Sequence, residues 1–266
     1  MAVFARVRQE GEEWLATVAL LGIWEVLSRL ALQRQWGLPP PSEVFETLVE
    51  LTTQGLWVAQ AGYLTLQNAA LISLTTLAIG FGLTLATAIP LGVLIGRNKG
   101  LEEYVDTAVN MLRPIPPAAL IPLLVVLIGL SDTSSYFLIW FGSFFPMLLN
   151  TISAVKHVDP IYTAAARVLG TKAHRMLTAV VFPASLPGIL TGIQVSWQVA
   201  WAMLVLSELV VTRGGIGNLV TRGEFADRYD VVIACMGAIA VLGLVFDAAL
   251  RRIRGHLLRW QSDLVV

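Results

Sequence analysis

The side chains of this sequence best suited to meeting a polar solute lie inside an apolar run. Gln194, Trp197, Gln198, Trp201, Val205 and Glu208 recur at helical spacings, within roughly 100° of one another at 100° per residue. Amides, indoles and a carboxylate on one helix face can line a path for a small solute through a membrane. The alternative is packing, in which the Gln side chains hydrogen-bond to neighbouring helices. Glu208 has a second reading of its own, an ion pair with Arg213 at the outer surface. Asn150, in the stretch FFPMLLNT at residues 144–151, completes the candidates for the path.

A second group of residues, at 159–188, suits contact with another protein rather than with a solute. Asp159 can accept from the free N–H groups of a first helical turn, and Pro160 is pre-set for the position after it. Ile161, Ala165 and Val168 or Leu169 then recur at helical spacing, Arg167 lies on another face, and Gly170 stands where helices commonly end in a left-handed residue. Ala164, Ala165 and Ala166 leave little side chain, so a partner can approach closely. Residues 172–181 read as a second helix, broken by Pro183 and Pro187. By composition alone the segment reads as an ordinary cytoplasmic loop between membrane spans.

Enzymatic chemistry finds no support. Gly214-Gly215-Ile216-Gly217 lacks the Lys and Ser or Thr of a phosphate-binding loop and reads as a flexible outer loop. No Ser-His-Asp constellation or metal-ligand spacing occurs; His157, His174 and His256 lie far apart and read as cytoplasmic loop residues. Cys235 is the single cysteine, which excludes an internal disulfide and suggests packing. Energy for any transport must therefore come from elsewhere.

The elements that position these groups follow from composition. At 266 residues, 56% hydrophobic and 14% charged, the chain is too apolar for a soluble domain, and its zero formal net charge gives no hint of nucleic acid. It is predicted to be all-α, a single membrane domain over residues 1–266. Against the roughly 20 residues needed to span a bilayer, the uncharged runs predict six helices, at about 14–32, 68–96, 114–131, 133–155, 186–209 and 231–250. The first is predicted to be an uncleaved anchor. It carries Glu25 and Arg29 in the favourable order for an ion pair, as a structural clamp or a transport element. Asp247, in the last, is expected near a membrane surface.

Basic residues accumulate in cytoplasmic loops. With the N-terminus inside, inner segments hold Arg6, Arg8, Arg97, Lys99, Arg113, Lys156, Arg167, Lys172, Arg175, Arg251, Arg252, Arg254 and Arg259, and outer ones only Arg34, Arg213, Arg222 and Arg228. Both termini are thus expected in the cytoplasm, as is the loop 156–183. Between the first two spans, Pro39-Pro40-Pro41 leads to Ser42 as an N-cap, and Val44, Leu48 and Leu51 form the apolar stripe of an amphipathic outer helix that rests on the membrane or docks an external partner. Pro114, Pro116 and Pro117 force an extended or kinked entry into the third span, which suggests a wall of the pathway.

In register, Ala164-Ala165-Ala166, Gly170, nine residues and Val180-Val181-Phe182-Pro183 resemble the loop of permease subunits of bacterial ATP-binding-cassette importers, E-A-A, three residues, G, nine residues, I-x-L-P. Ala164 stands where that pattern has glutamate. Trp24-Glu25 with Arg29, the Pro-Pro-Ser-Glu-Val run ending at Val44, Arg113-Pro114-Ile115-Pro116, the stretch 144–151 and Leu250-Arg251-Arg252 extend the likeness to the nitrate, sulfonate and taurine branch. The resemblance implies a multi-pass protein of the bacterial inner membrane, forming a homodimer or paired permease. It would work with two cytoplasmic ATPase subunits, which bind the ATP and Mg, and an external solute-binding protein. Asp159, Pro160, Ala164, Ala165, Ala166, Arg167, Gly170 and Pro183 would then belong to a coupling helix and its loop. A secondary transporter or channel is the competing class, disfavoured by the lack of an evident inverted repeat or a proton-relay chain. A membrane scaffold would leave the polar stripe unexplained.

Overall fold

The computed structural model describes residues 18–30, 38–58, 62–212 and 214–259. Helix α1 covers residues 18–29, so both ends of the first predicted span lie outside the described residues. The amphipathic helix α2 (Pro41–Thr53) begins two residues earlier than expected: Pro40 is its N-cap and Pro41 its first helical residue. Ser42 instead binds Glu25 and Arg29. Glu25 Oε1 accepts from Arg29 at 2.5 Å and from Ser42 Oγ at 2.9 Å, and Arg29 Nη2 donates to Ser42 Oγ at 3.1 Å. The pair is a clamp between α1 and α2.

The stripe of α2 is spent within the chain. Leu51 is fully buried beside Leu219, Val231 and Ala234, with Val44 and Leu48 packed alongside. Arg228 reinforces this contact, giving both guanidinium Nη atoms to Glu50, at 3.1 and 2.8 Å, and one of them also to Asp230 at 2.6 Å. These bonds hold the Glu50 carboxyl below its ordinary range and push the Arg228 guanidinium further up. A short antiparallel hairpin, β1 (Leu56–Val58) and β2 (Gly62–Leu64), qualifies the all-α expectation.

Three long helices make the body: α3 (Leu66–Arg97), α6 (Asp132–Lys156) and α9 (Phe182–Val210), with α6 packed between the other two. Small residues allow the close approach, as expected where helices meet in lipid. A Cβ on Gly92 of α3 would lie 2.6 Å from Thr151, and one on Gly192 of α9 would lie 2.7 Å from Asn150. Buried hydroxyls join α3 to α6, with Thr84 Oγ1 and Ser143 Oγ 2.7 Å apart.

Where a loop was expected after α3, α4 (Lys99–Leu112) forms, capped by Asn98, whose Oδ1 accepts from Gly100 and Leu101 at 3.1 and 3.4 Å. Val105 and Val109 of α4 pack against the body. The predicted span 114–131 is not one helix. After the prolines come a 3₁₀ turn (Pro117–Leu120) and α5 (Ile121–Leu127), bent by 72° from α4. The coupling segment gives α7 (Pro160–Val168) and the short α8 (Ala173–Met176). Then α8 runs on through a π-helical turn (Leu177–Val181) into α9, so Pro183 and Pro187 do not break it. In the wide turn Phe182 N–H donates to Leu177 O, five residues back, and Pro183 follows in the first turn of α9, where a missing N–H costs little. This fifth predicted span therefore starts near 177 rather than 186.

Helix α10 (Ile216–Phe225) packs against α9 and α11 (Tyr229–Leu257) closes the chain. Asp247 pairs with Arg251 on the surface of α11. Cys235 is buried, in packing. Among the described residues four helices are long and apolar enough to cross a membrane, and a fifth if the bent pair 100–112 and 117–127 is one broken span.

Candidate functional site

Helix α7 is built as its residues foretell. Asp159 Oδ1 accepts from Ile161 N at 2.8 Å, Pro160 occupies the first turn, and Gly170 ends the segment with φ +75°. Only its inner edge is anchored: Ala166 is buried with Val93, Val155, Met176 and Val181. Ala164, Ala165 and Arg167 face outward. So do Ile161, Tyr162, Val168 and Leu169, whose exposures of 68, 56, 87 and 84% leave a helix of two and a half turns with its apolar side chains uncovered. An apolar patch of this kind suits cover by a partner protein or by lipid. Pro183, also exposed, lies beyond the π turn, at the foot of α9.

The polar stripe of α9 divides. Trp197 is buried, edge-on to Phe81 of α3 at 5.6 Å and beside Trp201 and Phe246 at 6.1 and 5.4 Å. Gln194 Oε1 accepts from Arg254 of α11 at 2.8 Å. Gln198 is exposed. Most of the stripe therefore contacts the chain's own helices, because aromatic rings of α3 and α11 stand opposite it.

Glu208 departs furthest from expectation. It is 1% exposed, which overturns its surface reading; Arg213 lies outside the described residues. Its Oε2 accepts from Gly217 N at 2.9 Å, while Ile216 N donates to Ser73 Oγ of α3 at 3.0 Å. Gly215, with φ +94°, has no space for a side chain: its Cβ would lie 2.3 Å from the Glu208 carboxylate. The glycine loop is a fitted latch over a buried acid, not a flexible connection. A run of glycines within ten residues after a lone acid in an apolar helix was the available signal.

The opposite side of α9 borders open space. A cavity of about 580 Å³ lies between α6 and α9, lined by Phe141, Phe145, Leu149, Asn150, Val195, Val199 and Met203, with Arg113, Ile115 and Pro117 from the break between α4 and α5. Of the six path candidates, Asn150 lines it. Arg113, counted above with the inner loop residues, lines it as well; periodicity could not show this, because the bend lies between two helices. The proline run does border a cavity, as its irregular backbone suggests. Among the described residues no three His, Cys, Asp or Glu side chains come together as a metal site; His157 Nδ1 lies 2.8 Å from Ser153 O at the end of α6, and His256 is exposed in the last turns of α11.

Comparison with known proteins gives a consistent answer. The family described as "Binding-protein-dependent transport system inner membrane component" matches over residues 88–258. A putative ABC transporter permease protein of Methanocaldococcus jannaschii is 39% identical over 241 residues, 90% of this chain and 88% of that protein. The taurine transport system permease protein TauC of Escherichia coli is 32% identical, covering 92% and 87%. The nitrate import permease protein NrtB of Synechocystis is 26% identical, covering 88% and 84%. Among solved structures, an inward-facing conformation of the MetNI methionine ABC transporter aligns with a TM-score of 0.62 at 18% identity, over 72% of this chain and 95% of that one. This last likeness concerns the fold alone.

Proposed function

For a chain that belongs to the family of binding-protein-dependent transport system inner membrane components, we propose the role of permease subunit in an ATP-driven importer of a small solute. The nitrate, sulfonate and taurine permeases among its relatives place it in that branch, as a multi-pass membrane protein. On this reading six helices cross the inner membrane, α1 and the bent α4–α5 pair among them, with both termini in the cytoplasm. The chain binds no cofactor; ATP and Mg belong to two cytoplasmic ATPase subunits. An external binding protein delivers the solute, an oxyanion, sulfonate, taurine or similar, and a second copy of this chain completes the path, of which the cavity beside Asn150 is one wall.

The observation that carries this reading is the uncovered apolar face of α7, fixed by Asp159 and Gly170 and presented beside the foot of α9. A groove on each ATPase would receive α7, and closure of the ATPase pair would move it. ATP and the loaded binding protein shift the pathway only so far as each prefers one of its states. The test is uptake by proteoliposomes holding the purified complex. An ATPase subunit should copurify, uptake should require both ATP and the binding protein, and Ala165→Glu should abolish uptake while leaving the permease folded. Uptake driven by an ion gradient without ATP would overturn the reading.

A further inference from the structure

The geometry points to the cavity between α6 and α9 as a transient binding station for a small anion, with Arg113 supplying the charge and Asn150 a hydrogen-bonding amide. The inference rests on the importer reading and adds a charge preference within the permease itself. Arg113 is the sole charged side chain lining the cavity and Asn150 the sole other polar one. Arg29, Arg228 and Arg251 pair with the carboxylates Glu25, Glu50 and Asp247, whereas Arg113 faces this cavity. Arg113 has no such partner among the described residues.

The cavity that Arg113 lines reaches well inside the helices. Asn150 lies six residues inside one end of α6, and Val199 eleven inside one end of α9. At the helical rise these are roughly 9 and 16 Å, within a hydrocarbon layer about 30 Å thick. Arg113 is exposed at the border of a cavity that reaches this depth, where its charge can meet an anion moving through it. The chain reaches this place by breaking: Pro114, Pro116 and Pro117 end α4 and turn the backbone by 72°. The guanidinium fork suits the paired oxygens of a nitrate, sulfonate or carboxylate. Asn150 uses one N–H on Pro146 O, at 2.8 Å, which leaves a second N–H for the anion. The aromatic and aliphatic walls raise the worth of both contacts by keeping water scarce.

The experiment compares wild type, Arg113→Gln and Arg113→Lys in the full complex with its ATPase and binding protein, in proteoliposomes. The probes are nitrate, ethanesulfonate and taurine, with choline and sorbitol as a cation and a neutral solute. ATP-dependent uptake of at least one anionic or sulfonate probe is expected. Arg113→Gln should lower its maximal rate about tenfold or more, and Arg113→Lys should retain a rate between the two. Asn150→Asp, which keeps the volume and adds a negative charge, should cut anion uptake similarly; it stands in if Arg113→Gln fails to assemble. Wild-type uptake with indifferent Arg113→Gln or Asn150→Asp variants overturns this inference alone, as does uptake of choline or sorbitol in place of the anions. No ATP-dependent uptake of any solute by wild type sinks the importer reading, and this one with it.

Discussion

Gly170 and Gly215 share a left-handed backbone, with φ of +75° and +94°, yet a side chain added to each would meet opposite surroundings. A Cβ on Gly170 meets nothing within 4 Å, whereas one on Gly215 runs into the Glu208 carboxylate. The first closes α7, whose apolar side chains are left outside; the second closes a latch in which Glu208 Oε2 accepts from Gly217 N within the chain. One end of α9 thus stands beside an uncovered apolar face, while the other is folded back onto its own chain. Composition did not distinguish them, since both are glycines in short polar connections.

The comparison breaks most visibly by adding a methyl group at each site. Gly215→Ala combines backbone strain with overpacking and should cost about 2–4 kcal/mol, while Gly170→Ala should cost about 1 kcal/mol. Thermal unfolding of the detergent-solubilised protein measures both, and equal losses would end the distinction. A smaller effect is expected from Glu208→Leu, which leaves the buried Gly217 N–H without its acceptor at a cost of about 1–3 kcal/mol. The same measurement applies, and an unchanged midpoint would mean that the latch holds without its acid.

The least effect belongs to Glu50 and Arg228, half-exposed on the flank of α2, where screening limits the pair to about 1 kcal/mol or less. The Glu50 carboxyl is held below its ordinary value of 4.5, chiefly by hydrogen bonds from Arg228. Because the folded value is the lower one, the contribution is fully present above about 4.5 and is lost as pH falls through the folded value. Glu50→Gln should therefore lower stability slightly at pH 7 and flatten the acid limb of the pH profile. An identical acid limb in the variant would assign that loss to other groups.

Local signals were legible wherever one residue acts on its own chain neighbours. Asp159, Pro160 and Gly170 set the ends of α7, and Glu25 with Arg29 forms the expected pair. What escaped depends on residues brought together by packing. The charges Glu102, Glu103 and Asp106 hid α4 from a search for uncharged runs, although Val105 and Val109 already lay four residues apart. Pro183 and Pro187 suggested a break, but a π turn and the tolerance of a first turn for proline let the helix continue. Arg113 counted as a loop residue until the bend between α4 and α5 set it against α6 and α9. The stripe expected on α9 divides, with Gln198 exposed, and the rings that pack on Trp197 come from Phe81 and Phe246, 116 residues before it and 49 after it.

From Leu177 to Val210 the π turn and α9 form one uninterrupted rod, 34 residues long. Near its foot stands α7, and at its far end Glu208 is bonded to the start of α10. A rod fastened in this way cannot tilt alone. On the proposed role, a swing imposed at the foot would carry α10 along with the tip, because the Glu208–Gly217 bond ties the two together.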